Sequence, residues 1–182
     1  MTFAEATKPL RHKIVKMLAP KLYEDSFTKT FPRPMISFIR NQNRKDLVGA
    51  EIGVAEGYNA ESILETLNIK KLFLIDPTRF VKAVKTRLSR FNVELVFLQK
   101  TSEEAVNDVT EPLDFVYIDG NHNYDFVSRD IHLYYPLVKK GGVLGGHDYA
   151  CEWPSVVKAV NEFSVELGVV PFILFPDWWF QK

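Results

Sequence analysis

Phe115-Val-Tyr-Ile-Asp-Gly-Asn-His122 is an apolar run of strand formers that stops abruptly at an acid, and Gly141-Gly-Val-Leu-Gly-Gly-His-Asp148 repeats that form further along. One helix-length segment, residues 124–138, separates them. A strand, a crossover helix and a second strand make the two strands parallel, and the crossover is right-handed. Asp119 and the pair His147-Asp148 then fall at strand carboxyl ends. In open α/β sheets that edge is where ligands bind. Carboxylates and imidazoles are therefore expected together along one rim.

The same alternation runs through the chain from Leu47. Strands are expected over 47–54, 72–75, 93–98, 113–118 and 143–146, with helices over 60–67, 80–90, 103–107, 124–138 and 154–167 between and after them. The segments 169–175 and 178–182 read as strands joined only by Pro176-Asp177. Two residues are too few for a parallel crossover, so this last pair should be an antiparallel hairpin. Trp178 and Phe180 would face one side of it and Trp179 the other. The expected fold class is α/β: a Rossmann-like, seven-stranded, mostly parallel sheet with helices on both faces and a C-terminal antiparallel hairpin. Residues 47–182 would form that domain.

Residues 1–46 read differently, as a helical extension acting as a cap or an interface. Leu10, Ile14, Met17 and Leu18 recur at helical spacing and suggest an amphipathic helix ending near Pro20. A second short helix is expected over 35–40, then a polar linker over 41–45. Asp125 and Arg129, four apart on a helix, are expected to form a surface ion pair.

Charge narrows the partners. Lys plus Arg number 23 and Asp plus Glu number 23, a balance that argues against a nucleic-acid partner. No apolar run reaches membrane-spanning length, so no membrane partner is expected. Cys151 is the single cysteine, which excludes an internal disulfide and a cysteine-rich zinc site and fits a cytoplasmic, reducing setting.

Glu51-Ile-Gly-Val-Ala-Glu-Gly57 follows the first strand. Gly53 and Gly57 permit a tight turn and close backbone approach to a ligand. The pattern is neither the dinucleotide fingerprint nor a phosphate loop. A carboxylate beside it would repel a pyrophosphate but suits an ammonium or sulfonium group. A plain strand-to-helix turn is the alternative. Asp76 ends the second strand, where an acid commonly accepts from ribose hydroxyls or caps the next helix. Ser102 could cap the helix after the third strand or touch an adenine edge. Asp119 could cap a turn, His122 could be an ordinary loop residue, and His147 could orient a neighbour.

Glu51-x-Gly53-x-x-x-Gly57, Ile75-Asp76-Pro77, Asp114 to Tyr124 and Lys140 to Tyr149 together resemble the class I S-adenosylmethionine-dependent methyltransferases. The branch most resembled contains small-molecule and sugar O-methyltransferases, and the likeness spans residues 47–182. It implies that Glu51, Gly53 and Gly57 hold the methionine part of the cofactor, that Asp76 binds ribose, that Ser102 lies by the adenine, and that Asp119 borders the cofactor. In metal-dependent members an acid ending the fourth strand and an acidic pair ending the fifth bind a divalent ion, often magnesium. The corresponding ligands here are Asp119, His147 and Asp148. His147 departs from that pattern, and a nitrogen ligand suits manganese, iron or zinc better than magnesium. His122 corresponds to the general base, with Asp119 as its catalytic partner.

The resulting expectation is methyl transfer from S-adenosylmethionine to a hydroxyl of a small molecule or sugar, with possible metal assistance and a possible homo-oligomer. The alternatives are a non-catalytic cofactor-binding module and, disfavoured by the missing fingerprint, a nicotinamide enzyme.

Overall fold

The computed structural model describes residues 31–78, 80 and 82–182. Helix α1 (Pro34–Asn41) comes first, then β1 (Leu47–Ile52), α2 (Tyr58–Thr66), β2 (Ile69–Ile75), α3 (Lys82–Leu88) and β3 (Glu94–Leu98). After them come α4 (Ser102–Ala105), β4 (Leu113–Ile118), α5 (Tyr124–Tyr134), β5 (Val138–Gly146), α6 (Pro154–Leu167), β6 (Phe172–Leu174) and β7 (Asp177–Gln181). One seven-stranded sheet has the order β3-β2-β1-β4-β5-β7-β6. The first five are parallel to one another. β7 runs antiparallel to both β5 and β6, as the two-residue connection requires.

Two apolar layers cover the sheet. On one face Met35, Ile36, Ala60, Ile63, Val84 and Leu88 pack on Leu72, Leu74, Phe115 and Trp179. On the other Val127, Ile131, Val156, Val160 and Phe163 pack on Ile52, Val116, Leu144, Trp178 and Phe180. The alternation of Trp178, Trp179 and Phe180 between the faces is the period of a strand.

Pro32–Lys182 is one compact unit, which takes in α1 as well as the residues from Leu47. Pro34 opens α1 at its first position, where its missing N–H costs nothing. The amphipathic helix expected around Leu10 to Leu18 lies outside the described residues.

Some local expectations differ from what is found. The helix expected over 124–138 ends at Tyr134 and passes through a 3-10 turn, Tyr135–Leu137, into β5. Pro136 has no N–H for helix continuation, and the strand accommodates Gly141 at φ 79. The cap before α4 is Thr101, not Ser102. The Thr101 hydroxyl accepts from Glu104 N at 3.3 Å, and the Glu104 carboxylate accepts from Thr101 N at 3.0 Å, a reciprocal capping box. Arg129 pairs with Glu103 at 3.1 Å and lies over the Phe126 ring, instead of pairing with Asp125.

Asp114, 5% exposed, ties three strands at the end of the sheet away from the rim. It accepts from Val48 N and Lys139 Nζ at 2.8 Å each and from Arg44. Asp114→Ala removes all three and leaves the buried Val48 N–H without an acceptor. We expect it to lower the unfolding free energy by about 2–3 kcal/mol, read by urea denaturation. A loss below about 0.5 kcal/mol would mean water replaces the carboxylate there.

Candidate functional site

The strand ends are stitched level. The residue after each strand donates its N–H to the last carbonyl of a neighbour: Gly53 to Ile75 at 2.9 Å, Asp76 to Leu98 at 3.1 Å, Asp119 to Ile52 at 2.8 Å and His147 to Ile118 at 3.0 Å. β1 and β4 are adjacent, and the chain leaves them in opposite directions across the sheet. This is the topological switch where open sheets form a crevice. Gly53, Asp76, Asp119 and His147 are thereby placed along one rim.

Asp119 and Asp148 face each other across a cluster of imidazoles. His122 Nε2 lies 2.7 Å from Asp148 Oδ2 and 3.7 Å from Asp119 Oδ1. The shorter contact lies off the hydrogen-bonding direction, so it is an ion pair rather than an aligned hydrogen bond. His147 Nδ1 lies 2.9 Å from Asp148 Oδ1 and 3.9 Å from Asp119 Oδ1. Asp148 adopts φ 64, an uncommon conformation that an Asp tolerates better than most residues. The His122 ring stacks on Trp153 with centroids 4.3 Å apart.

Burial opposes charge on His122, but the neighbouring Asp119 and Asp148 carboxylates outweigh it and push its pKa up to about 9. The ring is therefore an imidazolium at neutral pH in this arrangement, not the free base that an ordinary histidine would supply. Burial also pushes the Asp119 carboxyl above its usual range; His122 and Arg33 oppose the shift, and the Asp148 charge adds to it. One donor atom each from Asp119, His122 and Asp148 lie within 4.8 Å of one another. The His122 ring stands in that group where His147 was expected, while His147 touches the same two carboxylates. Two oxygens and one nitrogen form a donor set that fits a small divalent ion.

Glu51 is 1% exposed. Its Oε1 accepts from Asn59 Nδ2 at 3.0 Å, while Glu51 Oε2 and Asn59 Oδ1 have no hydrogen-bond partner among the described residues. Burial, against the Asn59 bond, pushes the Glu51 pKa up to about 8. A buried carboxyl whose second oxygen is unpaired among the described residues is a candidate contact for a ligand's donor group.

Asp76 braces the glycine turn. Its Oδ2 accepts from Val54 N at 3.0 Å and Ala55 N at 2.9 Å. Its Oδ1 accepts from Thr78 N at 2.8 Å and Thr78 Oγ1 at 2.5 Å. These bonds keep its pKa low despite burial. All of its roughly four acceptor positions are engaged; the Thr78 hydroxyl is the one partner that can rotate away. Gly57 takes φ 76 at the entry to α2. The Ser102 hydroxyl donates to Asp130 on α5, so this side chain faces the helix layer.

Three residues here were not singled out from the sequence. Arg33, from the turn before α1, places Nη2 3.5 Å from Asp119 Oδ2. Asp177, expected in a plain turn, is fully buried and accepts from Tyr117 Oη at 2.9 Å and Met35 N at 3.0 Å. Burial pushes its pKa up to about 7 against those bonds and the Arg33 charge. Asn59 is the third; a polar residue in the first turn after a glycine loop was the available clue.

A parallel β3-β2-β1-β4-β5 sheet completed by an antiparallel β7 inserted before β6, with acids at the β1–β4 switch, defines the methyltransferase class of Rossmann-like folds. Residues 50–149 match the family described as a methyltransferase domain. The chain belongs to that family. An uncharacterized protein of Acanthamoeba polyphaga mimivirus is 31% identical over 137 residues, covering 68% of this chain and 62% of that protein. The chain thus spans less than two thirds of that relative's length.

Solved structures share the fold at low identity. The MycE methyltransferase of the mycinamycin biosynthetic pathway, in complex with Mg, SAH and mycinamycin VI, superposes with TM-score 0.63 at 14% identity, over 92% of this chain and 53% of its own. CalS11, a TDP-rhamnose 3'-O-methyltransferase of calicheamicin biosynthesis, gives 0.63 at 11%, over 100% and 95%. An rRNA methylase from Streptococcus thermophilus gives 0.61 at 15%, over 83% and 96%. The fold alone therefore leaves the acceptor open.

Proposed function

We propose that the protein transfers a methyl group from S-adenosylmethionine to a hydroxyl of a small molecule or sugar. One observation carries this reading: Glu51, buried with an unused oxygen, shares the strand-end rim with the Asp119–His122–Asp148 cluster. The first suits the cofactor's ammonium group and the second suits an acceptor hydroxyl. MycE and CalS11 support a small-molecule or sugar acceptor, and the balanced net charge of this chain disfavours RNA.

In this reading Glu51, Gly53 and Gly57 hold the methionine part, and Asp76 meets the ribose once the Thr78 hydroxyl turns aside. Ser102 lines the adenine side through its backbone, and Asp119 borders the methyl. The acceptor oxygen attacks the methyl carbon in line, the carbon–sulfur bond breaks, and sulfur keeps the electron pair as S-adenosylhomocysteine forms. The protein's task is alignment and removal of the hydroxyl proton. His122 receives that proton, so it must first be discharged from its imidazolium form. Asp119 and Asp148, with His147 against the same carboxylates, would hold a divalent ion, magnesium or manganese, leaving His122 beside it as the base; when bound, the ion would lower the hydroxyl's pKa. Sharing the carboxylates with a cation also removes much of the attraction that keeps His122 protonated. Arg33 beside Asp119 supports the segment before β1 as a cap over this site. The exposed thiol of Cys151 supports a cytoplasmic setting, and among the described residues no helix is long and apolar enough to cross a membrane.

S-adenosylhomocysteine should raise the thermal midpoint through binding to the folded state alone, and NAD should not. A screen of hydroxylated acceptors for S-adenosylhomocysteine release tests turnover. No shift with either S-adenosyl compound would overturn the reading. The Glu51 site adds a pH signature. Below its pKa of about 8 this carboxyl is protonated, and pairing with a ligand ammonium requires removing that proton. Affinity for S-adenosylhomocysteine should fall about tenfold for each pH unit between 7.5 and 6, measured by calorimetry. In Glu51→Gln affinity should be lower and the slope absent. An equal slope in that variant would place the titrating group elsewhere.

A further inference from the structure

Ten consecutive residues, 167–176, carry no charge, and they include β6, the outermost strand of the sheet. Val170 is 83% exposed, Phe175 61% and Leu174 59%, with Phe172, Ile173 and Val169 close to half exposed. Val165, on α6 just before them, is exposed as well. Both faces of the strand carry exposed apolar side chains, although Phe172 also stacks on Trp179 and packs against Phe38, and its outer edge is unpaired among the described residues. The opposite edge differs: on β3 the Glu94 carboxylate pairs with Lys71 at 2.9 Å, and Lys85 lies over Phe97. Charges of that kind are how proteins keep an edge from pairing with another chain. β6 lacks them.

We propose that β6 is the contact of a symmetric homodimer, in which it pairs antiparallel with β6 of a second copy. The area fits. At about 150–200 Å² for a fully exposed residue of this size, these seven residues present roughly 700 Å², against ~800 Å² per partner in a standard interface. The backbone fits too, because the outer N–H and C=O groups of an edge strand are complementary to an identical strand related by a twofold axis. Ile173 is the middle residue of β6, so the axis passes beside it and the two Ile173 side chains meet. Pro171 and Pro176 flank the strand and limit the pairing to a short stretch. Each copy uses its one unguarded edge, so the assembly closes at two.

Sedimentation of the full chain from about 1 to 100 µM should show a dimer. Ile173→Lys sets like charges together at the axis and should weaken dimerisation at least about a hundredfold, with unchanged far-UV circular dichroism and an unchanged S-adenosylhomocysteine midpoint shift. Ile173→Cys in a Cys151→Ser background should form a reducible covalent dimer on mild oxidation. A wild-type chain that stays monomeric throughout the range overturns the proposal. So does an Ile173→Lys chain that dimerises as well as wild type. Dimerisation that appears only after residues 1–30 are removed would also overturn it, by making the chain's own N-terminus the cover.

Discussion

Asp148→Asn should lower turnover by about a hundred- to a thousandfold while S-adenosylhomocysteine affinity stays within about threefold. The reason is the geometry at the strand ends. Asp148 touches both His122 and His147, and it belongs to the one group of donors among the described residues that is close enough for a shared ion. Its removal takes away a ligand and alters the protonation of the base together, whereas Glu51 and the glycine turn are untouched. A strong chelator should reproduce the loss in the wild-type protein, and added manganese or magnesium should restore it. The His122 ring gives a second readout by NMR. In chelator it should titrate near 9; a divalent ion sharing Asp119 and Asp148 should lower that value, because a nearby cation disfavours the imidazolium. Full turnover in chelator, with an unmoved His122 titration, would leave a metal-free enzyme in which Asp119 and Asp148 orient His122.

The sheet was legible because its determinants are local and repeated. Residues 113–118 and 154–167 form the elements their apolar spacing implies, to the residue. The two residues between β6 and β7 settled their direction. Boundaries failed where chain chemistry and tertiary context disagree. The expected helix ran to residue 138 and the expected strand began at 143, yet Val138 pairs with Leu113 and β5 begins there. The rim acids were legible because each follows an apolar strand. Their partners were not. Arg33 comes from a segment 86 residues away from Asp119 in the chain, and Asp177 lies 142 residues from Met35. No spacing rule connects such positions. The protonation state of His122 depends on two carboxylates converging from different strands, so the ordinary imidazole pKa misled. Asp76 shows the limit from another side: its position pointed to a ribose, while its oxygens are engaged by the backbone of the glycine turn.

That turn is where one added methyl group should do the most damage. Gly53 adopts φ 85, and a Cβ built on it would lie 2.2 Å from the Asp119 carbonyl oxygen and 2.6 Å from Gly120 Cα. Both neighbours are backbone, fixed by the Asp119 N–H bond to Ile52, so neither can rotate aside. Gly53→Ala therefore combines the conformational cost of positive φ, about 1–2 kcal/mol, with an overlap costing about 1–3 kcal/mol more. We expect a loss near 3–4 kcal/mol and a thermal midpoint lower by about 10 °C. Relief of the overlap requires β1 and β4 to part at the switch, so S-adenosylhomocysteine binding should fall at least about a hundredfold. Two other glycines separate the causes. Gly141 has φ 79 with no atom within 4 Å of the added carbon, so Gly141→Ala should cost only the conformational part. Gly120 has ordinary φ and meets Ile52 Cγ2 at 3.5 Å, so Gly120→Ala should leave stability within about 0.5 kcal/mol. If Gly53→Ala is no more destabilised than Gly141→Ala and still binds S-adenosylhomocysteine, the two strand ends are not locked together, and the rim is softer than its hydrogen bonds imply.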